Sequence, residues 1–188
     1  IRDIGVTGVQ TCALPIYKKI TVFASIAILS ASIGIYFGTQ RLKIDSPADP
    51  VASKLMQASL PDLQNQTQTL SHWQGKVLLV NFWATWCPPC VAEMPELVAL
   101  QNEMASKNLQ IVGIGIDSPS NIQQFATKHQ ITYPLLVAGM QGTELSRELG
   151  NQAGGLPFTV LIDTQGSIRQ TYLGRLNMEK VRADLAGL

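Results

Sequence analysis

The chain has 188 residues, a formal net charge of +1, 46% hydrophobic residues and only 14% charged ones. That length accommodates one domain with an appendage, and the near-zero charge excludes the broad basic surface that nucleic-acid binding requires. Part of the apolar excess is concentrated near the N-terminus, which points to a membrane segment.

Residues 6–16, Val-Thr-Gly-Val-Gln-Thr-Cys-Ala-Leu-Pro-Ile, resemble the in-frame translation of a sequencing-adapter oligonucleotide. Residues 1–16 are therefore set aside as an artefactual or disordered N-terminus, with a short cytoplasmic tail as the alternative; under both readings Cys12 has no function. From Ile20 to Phe37 there is no charged residue, and about 18 apolar residues suffice to span a bilayer as a helix. Lys18 and Lys19 precede this run, as expected for a cytoplasmic N-terminus, although Arg41 and Lys43 follow it and weaken the asymmetry. Residues 17–40 are read as an uncleaved signal-anchor, because the apolar stretch exceeds a usual signal-peptide core; cleavage near Ser30-Ala31-Ser32 is the alternative. Either reading places the folded part outside the cytoplasm. Residues 41–59, polar and carrying Pro47 and Pro50, read as a linker.

Residues 60–188 form the predicted domain. Leu60–Leu63 and Thr67–Leu70 suggest short extended pieces around a polar turn. Val77–Trp83 is a near-continuous apolar run, the pattern of a strand buried on both faces. A helix follows over Pro89–Lys107, with Pro95 inside it removing a hydrogen bond. Ile111–Ile116 is a second buried strand. Asp117-Ser118-Pro119-Ser120 caps a helix running to about Lys128. Pro134 reads as a turn residue next to a third strand over Tyr133–Val137. Thr143–Leu149 is a short helix closed by Gly150. Phe158–Ile162 and Ile168–Leu173 are strands joined by Asp163-Thr164-Gln165-Gly166, a hairpin signal. Asn177 caps a last helix through Leu185. Alternating strands and helices, then a hairpin and a helix, predict an α/β fold with a mixed central sheet flanked by helices.

The chemistry concentrates in Trp86-Cys87-Pro88-Pro89-Cys90, between the first buried strand and its helix. A helix N-terminus favours a thiolate, and a thiolate is the nucleophile of disulfide exchange. With Cys12 set aside, Cys87 and Cys90 are the remaining cysteines, so the pair reads as working chemistry rather than scaffolding. A zinc half-site is disfavoured, since structural zinc needs about four ligands and only His72 and His129 are available, in no metal-ligand motif. Both histidines read as surface or loop residues. Trp83 reads as core and Trp86 as exposed and partner-facing.

These motifs resemble the thioredoxin superfamily, specifically its membrane-anchored TlpA/ResA-like thiol–disulfide oxidoreductases. The residues that carry the resemblance are Val80-Asn81-Phe82-Trp83-Ala84-Thr85-Trp86-Cys87-Pro88-Pro89-Cys90, then Glu93 and Pro95, then Gly155-Leu156-Pro157-Phe158. The resemblance implies a thioredoxin-like fold with an inserted βα unit, here Ile111 to His129 with its following strand. It implies that Cys87 is the exposed attacking cysteine, Cys90 the buried resolving one, and Pro157 a cis-proline facing the dithiol. Trp86, Pro88 and Leu156 become candidate substrate contacts, and no cofactor is expected beyond the Cys87–Cys90 disulfide. Thioredoxin itself places a buried aspartate where this chain has Asn81. Glu93, one helical turn past Cys90, is the candidate for taking over proton management, with a raised pKa from partial desolvation.

The expected activity is extracytoplasmic reduction of protein disulfides at a bacterial inner membrane, with the catalytic domain in the periplasm. The resemblance suggests apocytochrome c or copper-site proteins as substrates and a membrane thiol reductase as electron donor. Pro88 and Pro89 withhold N–H donors that would stabilise thiolates, which argues against a strongly oxidising dithiol. A thiol peroxidase, a copper(I) metallochaperone and a disulfide isomerase-oxidase are the alternatives. Met94 and Met104 read as helix packing rather than copper ligands.

Overall fold

The computed structural model describes residues 50–188. The expected artefact, the signal-anchor over 17–40 with its apolar run, Cys12, and the first part of the expected linker lie outside the described residues. Among the described residues, no helix is long and apolar enough to cross a membrane.

The first element corrects the sequence reading. Residues 50–57, taken as linker, form helix α1 (Pro50–Gln57), which buries Ala52, Leu55 and Met56. Pro50 opens this helix, where its missing N–H has no partner to lose. Strands β1 (Ser59–Pro61) and β2 (Thr67–Thr69) pair antiparallel as a small separate sheet. A short 3-10 turn over Leu70–Trp73 buries Leu70 and leads into β3 (Val77–Trp83).

The main sheet has five strands in the order β5-β4-β3-β6-β7. Strand β4 (Leu109–Gly115) runs parallel to β3 along its whole length. Strand β5 (Leu135–Val137) is parallel to β4, and β6 (Phe158–Ile162) and β7 (Ile168–Leu173) form the antiparallel hairpin expected from their turn. The segment expected as an insertion thus supplies two of the five strands, β4 and β5. Its helix, α3 (Pro119–Lys128), is capped by Ser118, whose Oγ accepts from the Asn121 N–H. The α2 helix (Pro88–Met104) starts one residue earlier than expected and passes into a 3-10 turn over Ala105–Lys107. The third strand begins at Leu135 rather than Tyr133; the carbonyl of Pro134 before it accepts the Gly113 N–H at 2.9 Å, but Pro134 has no N–H to donate. Helix α4 (Met140–Glu148) follows it. The last helix, α5 (Met178–Ala186), is capped by Asn177 as predicted.

Both faces of the sheet are covered, which is why β3 reads as an unbroken apolar run. Odd residues of β3, Leu79 and Trp83, pack with α2, α3 and α5. Even residues, Leu78, Val80 and Phe82, pack with α1 and α4. One polar row crosses the first of these faces. Gly113, Asn81 and Thr159 are register partners on β4, β3 and β6, and this row lies beneath α2.

Candidate active site

The end of β3 fixes the position of the dithiol. After Trp83 the chain turns, with Cys87 N–H donating to the Ala84 carbonyl at 3.2 Å. Cys87 becomes the N-cap of α2, and its Sγ accepts the Cys90 N–H at 3.3 Å. Pro88 and Pro89 fill the first two helical positions and offer no N–H, so Cys90 supplies that donor alone. Cys87 and Cys90 are joined in a disulfide with Cα atoms 5.3 Å apart. The expectation of an exposed attacking cysteine is corrected: Cys87 is 5% exposed and Cys90 fully buried. Access to the sulfur is an edge, framed by exposed Pro88 and by Trp86, which is 66% exposed. Thr85 Oγ1 donates to Asp117 Oδ2, tying this turn to the start of α3.

The register brings the second loop to the same place. Phe158, first in β6, pairs with Phe82, next to last in β3. The residues before Phe158 therefore sit beside the turn that leads to Cys87. The Leu156–Pro157 bond is cis, as the resemblance implied. Leu156 is half-buried and packs against the core cluster that contains Cys87 and Cys90. The Pro157 carbonyl accepts the Gly174 N–H at 2.8 Å.

Asn151 locks this loop, and it was not singled out from the sequence. Its Nδ2 donates to the Gly155 carbonyl at 2.8 Å, and its Oδ1 accepts the Gly155 N–H at 3.1 Å. The amide thus satisfies both backbone groups of one residue, two positions before the cis-proline. An asparagine directly after the glycine that closes a helix is a weak sequence signal for such a clamp. Leu173, at the end of β7, was also missed. It is 63% exposed, and its Cδ1 lies 3.2 Å from where a β-carbon on Gly155 would stand.

Glu93 is fully buried. Its Oε1 accepts from Asn81 Nδ2 at 2.8 Å, and its Oε2 accepts the Leu176 N–H at 3.0 Å. Asn81 Nδ2 also donates to Thr159 Oγ1 at 3.0 Å. Burial raises the carboxyl pKa above the ordinary glutamate range; the Leu176 and Asn81 donors and the charge of Arg175 partly offset this, while Glu96 adds to it. The expected departure from a solvated helix residue is therefore present, and its partners are Asn81 and the β7–α5 loop. His129 stacks on Phe125, and His72 lies edge-on to Trp73. Among the described residues no three of His, Cys, Asp and Glu are grouped to hold a metal ion.

A helix-capping dithiol, a cis-proline loop at the same end of the sheet and a buried carboxylate one turn along the helix make a redox site. Residues 50–186 match the family described as Redoxin. The chain belongs to the Redoxin family. Within it the chain is a TlpA/ResA-like protein. It is 29% identical over 166 residues to the thiol-disulfide oxidoreductase ResA of Geobacillus kaustophilus, covering 88% of this chain and 92% of the relative. It is 31% identical over 183 residues to the thiol:disulfide interchange protein DsbE of Vibrio cholerae, covering 91% and 94%. The crystal structure of a thiol:disulfide interchange protein of the thioredoxin family from Chlorobium tepidum matches with a TM-score of 0.60 at 27% identity, covering 69% of this chain and 91% of that one. This Redoxin-family chain is a thiol–disulfide oxidoreductase with Cys87–Cys90 as its disulfide pair, acting on protein disulfides.

Proposed function

We propose that the protein works as a reductase, with Cys87 attacking and Cys90 resolving. In the reduced protein the Cys87 thiolate attacks a substrate disulfide. One Cys87–substrate bond forms and one substrate sulfur leaves as a thiolate. The Cys90 thiolate then attacks Cys87 Sγ, releases the second substrate thiolate and closes the Cys87–Cys90 bond. Two electrons pass to the substrate, and a membrane thiol reductase returns two to the protein. Trp86, Pro88 and Leu156 frame the edge where the substrate approaches, and Pro157 terminates the loop that faces it.

The observation that carries the direction is the buried Glu93 carboxyl one helical turn past Cys90. A carboxylate there opposes a second negative charge on the dithiol and accepts the proton that Cys90 must lose. With Pro88 and Pro89 withholding donors, the thiolate gains little extra stabilisation, unlike that of a strong oxidant. Residues 17–40 serve as the anchor and place the domain in the periplasm of a bacterium. Apocytochrome c and copper-site proteins are the substrate classes that fit a reductant working there. The test is the reduction potential of the Cys87–Cys90 pair. A value near or below about −270 mV supports the reductase; one above about −150 mV reverses the direction to disulfide formation or shuffling.

A further inference from the structure

The inserted unit reaches the redox turn through one side chain. Ala84 to Cys87 is a tight turn closed by the Cys87 N–H on the Ala84 carbonyl, with Thr85 and Trp86 as its two central residues. Strands β3 and β4 stay joined up to this turn, where the Ile116 N–H donates to the Trp83 carbonyl at 2.8 Å. The next residue on the β4 side is Asp117. Its Oδ2 accepts the Thr85 hydroxyl, and the carboxylate also accepts the Thr85 backbone N–H. Among the described residues Asp117 is the one side chain that hydrogen-bonds either central residue of the turn.

Asp117 is itself fixed from the other side. Its Oδ1 accepts the Ser118 N–H at 2.6 Å and Asn121 Nδ2 at 2.8 Å. Both donors belong to the start of α3, whose free N–H groups favour a negative charge. Partial burial works against that charge, but the donors from Thr85, Asn121 and Ser118 outweigh it and hold the Asp117 carboxyl below the ordinary aspartate range. The acceptor facing Thr85 is therefore ionised at neutral pH, and such hydrogen bonds are about twice as strong as neutral ones. The N-terminus of α3 holds the carboxylate, and the carboxylate holds the turn.

We propose that Asp117, acting through Thr85, is a positioning residue for Cys87, which it aims at the substrate once the disulfide is open. This rests on the attacking role of Cys87 proposed above. In the oxidised protein the bond to Cys90 fixes Cys87 covalently. In the dithiol that bond is gone, and Cys87 depends on the turn that carries it. Attack on a disulfide needs the incoming thiolate in line with the two substrate sulfurs, and a misplacement of about 1 Å can cost about a hundredfold in rate. The Cys87 thiolate bonds to the nearer substrate sulfur, and the farther one leaves with the electron pair. Thr85 and Asp117 give up no proton in that step and touch neither substrate sulfur. The inserted unit thereby has a task at the dithiol: its carboxylate sets where the turn stands.

The experiment uses the reduced full chain carrying C12S and C90S, so that Cys87 is its one remaining thiol. The probe is a peptide whose single cysteine is joined to nitrothiobenzoate. Cys87 bonds to the peptide sulfur, and the coloured nitrothiobenzoate thiolate leaves. T85V removes the hydroxyl donor at nearly constant shape, whereas T85S keeps it. T85V should form the mixed disulfide about tenfold more slowly than this parent, and T85S at close to the parent rate. The Cys87 thiol pKa, read from the pH dependence of iodoacetamide alkylation, should stay at the parent value in both, since the carboxylate keeps its charge. D117A should be at least as slow as T85V, and T85V with D117A no slower than D117A alone, because both cut the same link. T85V at the parent rate overturns the proposal. T85S as slow as T85V assigns the loss to packing and overturns it too, as do penalties that multiply in the double variant. A parent that forms no adduct at all removes Cys87 as the attacking cysteine, and the positioning role with it.

Discussion

At the scale of single residues, Glu93 is a buried carboxyl whose ionisation the fold resists. Its carboxyl titrates above the ordinary range when folded, mainly through burial, so the folded state holds that proton more tightly than the unfolded chain. The contribution of Glu93 to stability is therefore complete below the unfolded carboxyl range and is lost as pH rises through the folded one. Urea unfolding of the oxidised protein at a series of pH values should show that decline, and E93Q should flatten it. E93Q carries its own penalty. The glutamine oxygen can accept from Asn81 Nδ2 or from the Leu176 N–H but not both, and the donor left facing an amide N–H₂ costs about 1–3 kcal/mol. A variant with unchanged pH slope would mean that another group titrates. The two cysteines differ more simply. C90S should accumulate a mixed disulfide through Cys87, visible as a covalent adduct on non-reducing gels, whereas C87S should form none.

At the scale of elements, two pieces of the site depend on contacts the sequence does not advertise. Asn151 holds both backbone groups of Gly155, and it sits in the turn between α4 and the cis-proline. N151A leaves a buried-side carbonyl and N–H without partners, at a cost of about 1–3 kcal/mol. If the loop meets substrate as proposed, N151A should raise KM for a peptide disulfide several-fold while the reduction potential stays at the parent value. Helix α1 is the second. Leu55 is fully buried against the even-numbered face of β3, so L55A should lower unfolding free energy by about 2–5 kcal/mol. A loss well under 1 kcal/mol would return residues 50–57 to the status of a linker. The sequence reading recovered β3, the redox turn, the β6–β7 hairpin and the Asn177 cap, because each is written in local pattern: apolar period, Cys-x-x-Cys, Asp-x-x-Gly, Asn before a helix. It missed α1 because eight residues with a proline and few large side chains resemble a spacer. The burial of α1 is settled by a sheet face formed far away in the chain. It missed Asn151 for a related reason. A side chain that bonds a backbone four residues on leaves no periodic trace.

At the scale of the whole molecule, redox state and folding are linked, and the linkage tests the direction of the reaction without any substrate. The folded protein and its unfolded chain can each carry Cys87 and Cys90 as a disulfide or as a dithiol. Around that cycle, the difference in stability between oxidised and reduced protein equals the difference in potential between the folded and unfolded pairs, with 30 mV corresponding to about 1.4 kcal/mol for two electrons. A reductant has a folded pair that prefers the disulfide, so its oxidised form is the more stable one. An oxidant such as one with a highly stabilised thiolate shows the opposite order. Here the disulfide is buried beneath Trp83, Met94 and Leu97 in one apolar cluster. Opening it would place a thiolate at an edge with one N–H donor, Cys90 N, and with Glu93 one turn along the helix. All three features favour the closed form. The oxidised protein should accordingly melt above the reduced protein, by about 2–4 °C for each kcal/mol at this size, with both samples scanned at pH 7 and the thiols of the reduced sample checked by alkylation afterwards. Equal midpoints would leave no preference for the disulfide, and a higher midpoint for the dithiol form would make the protein a donor of disulfides.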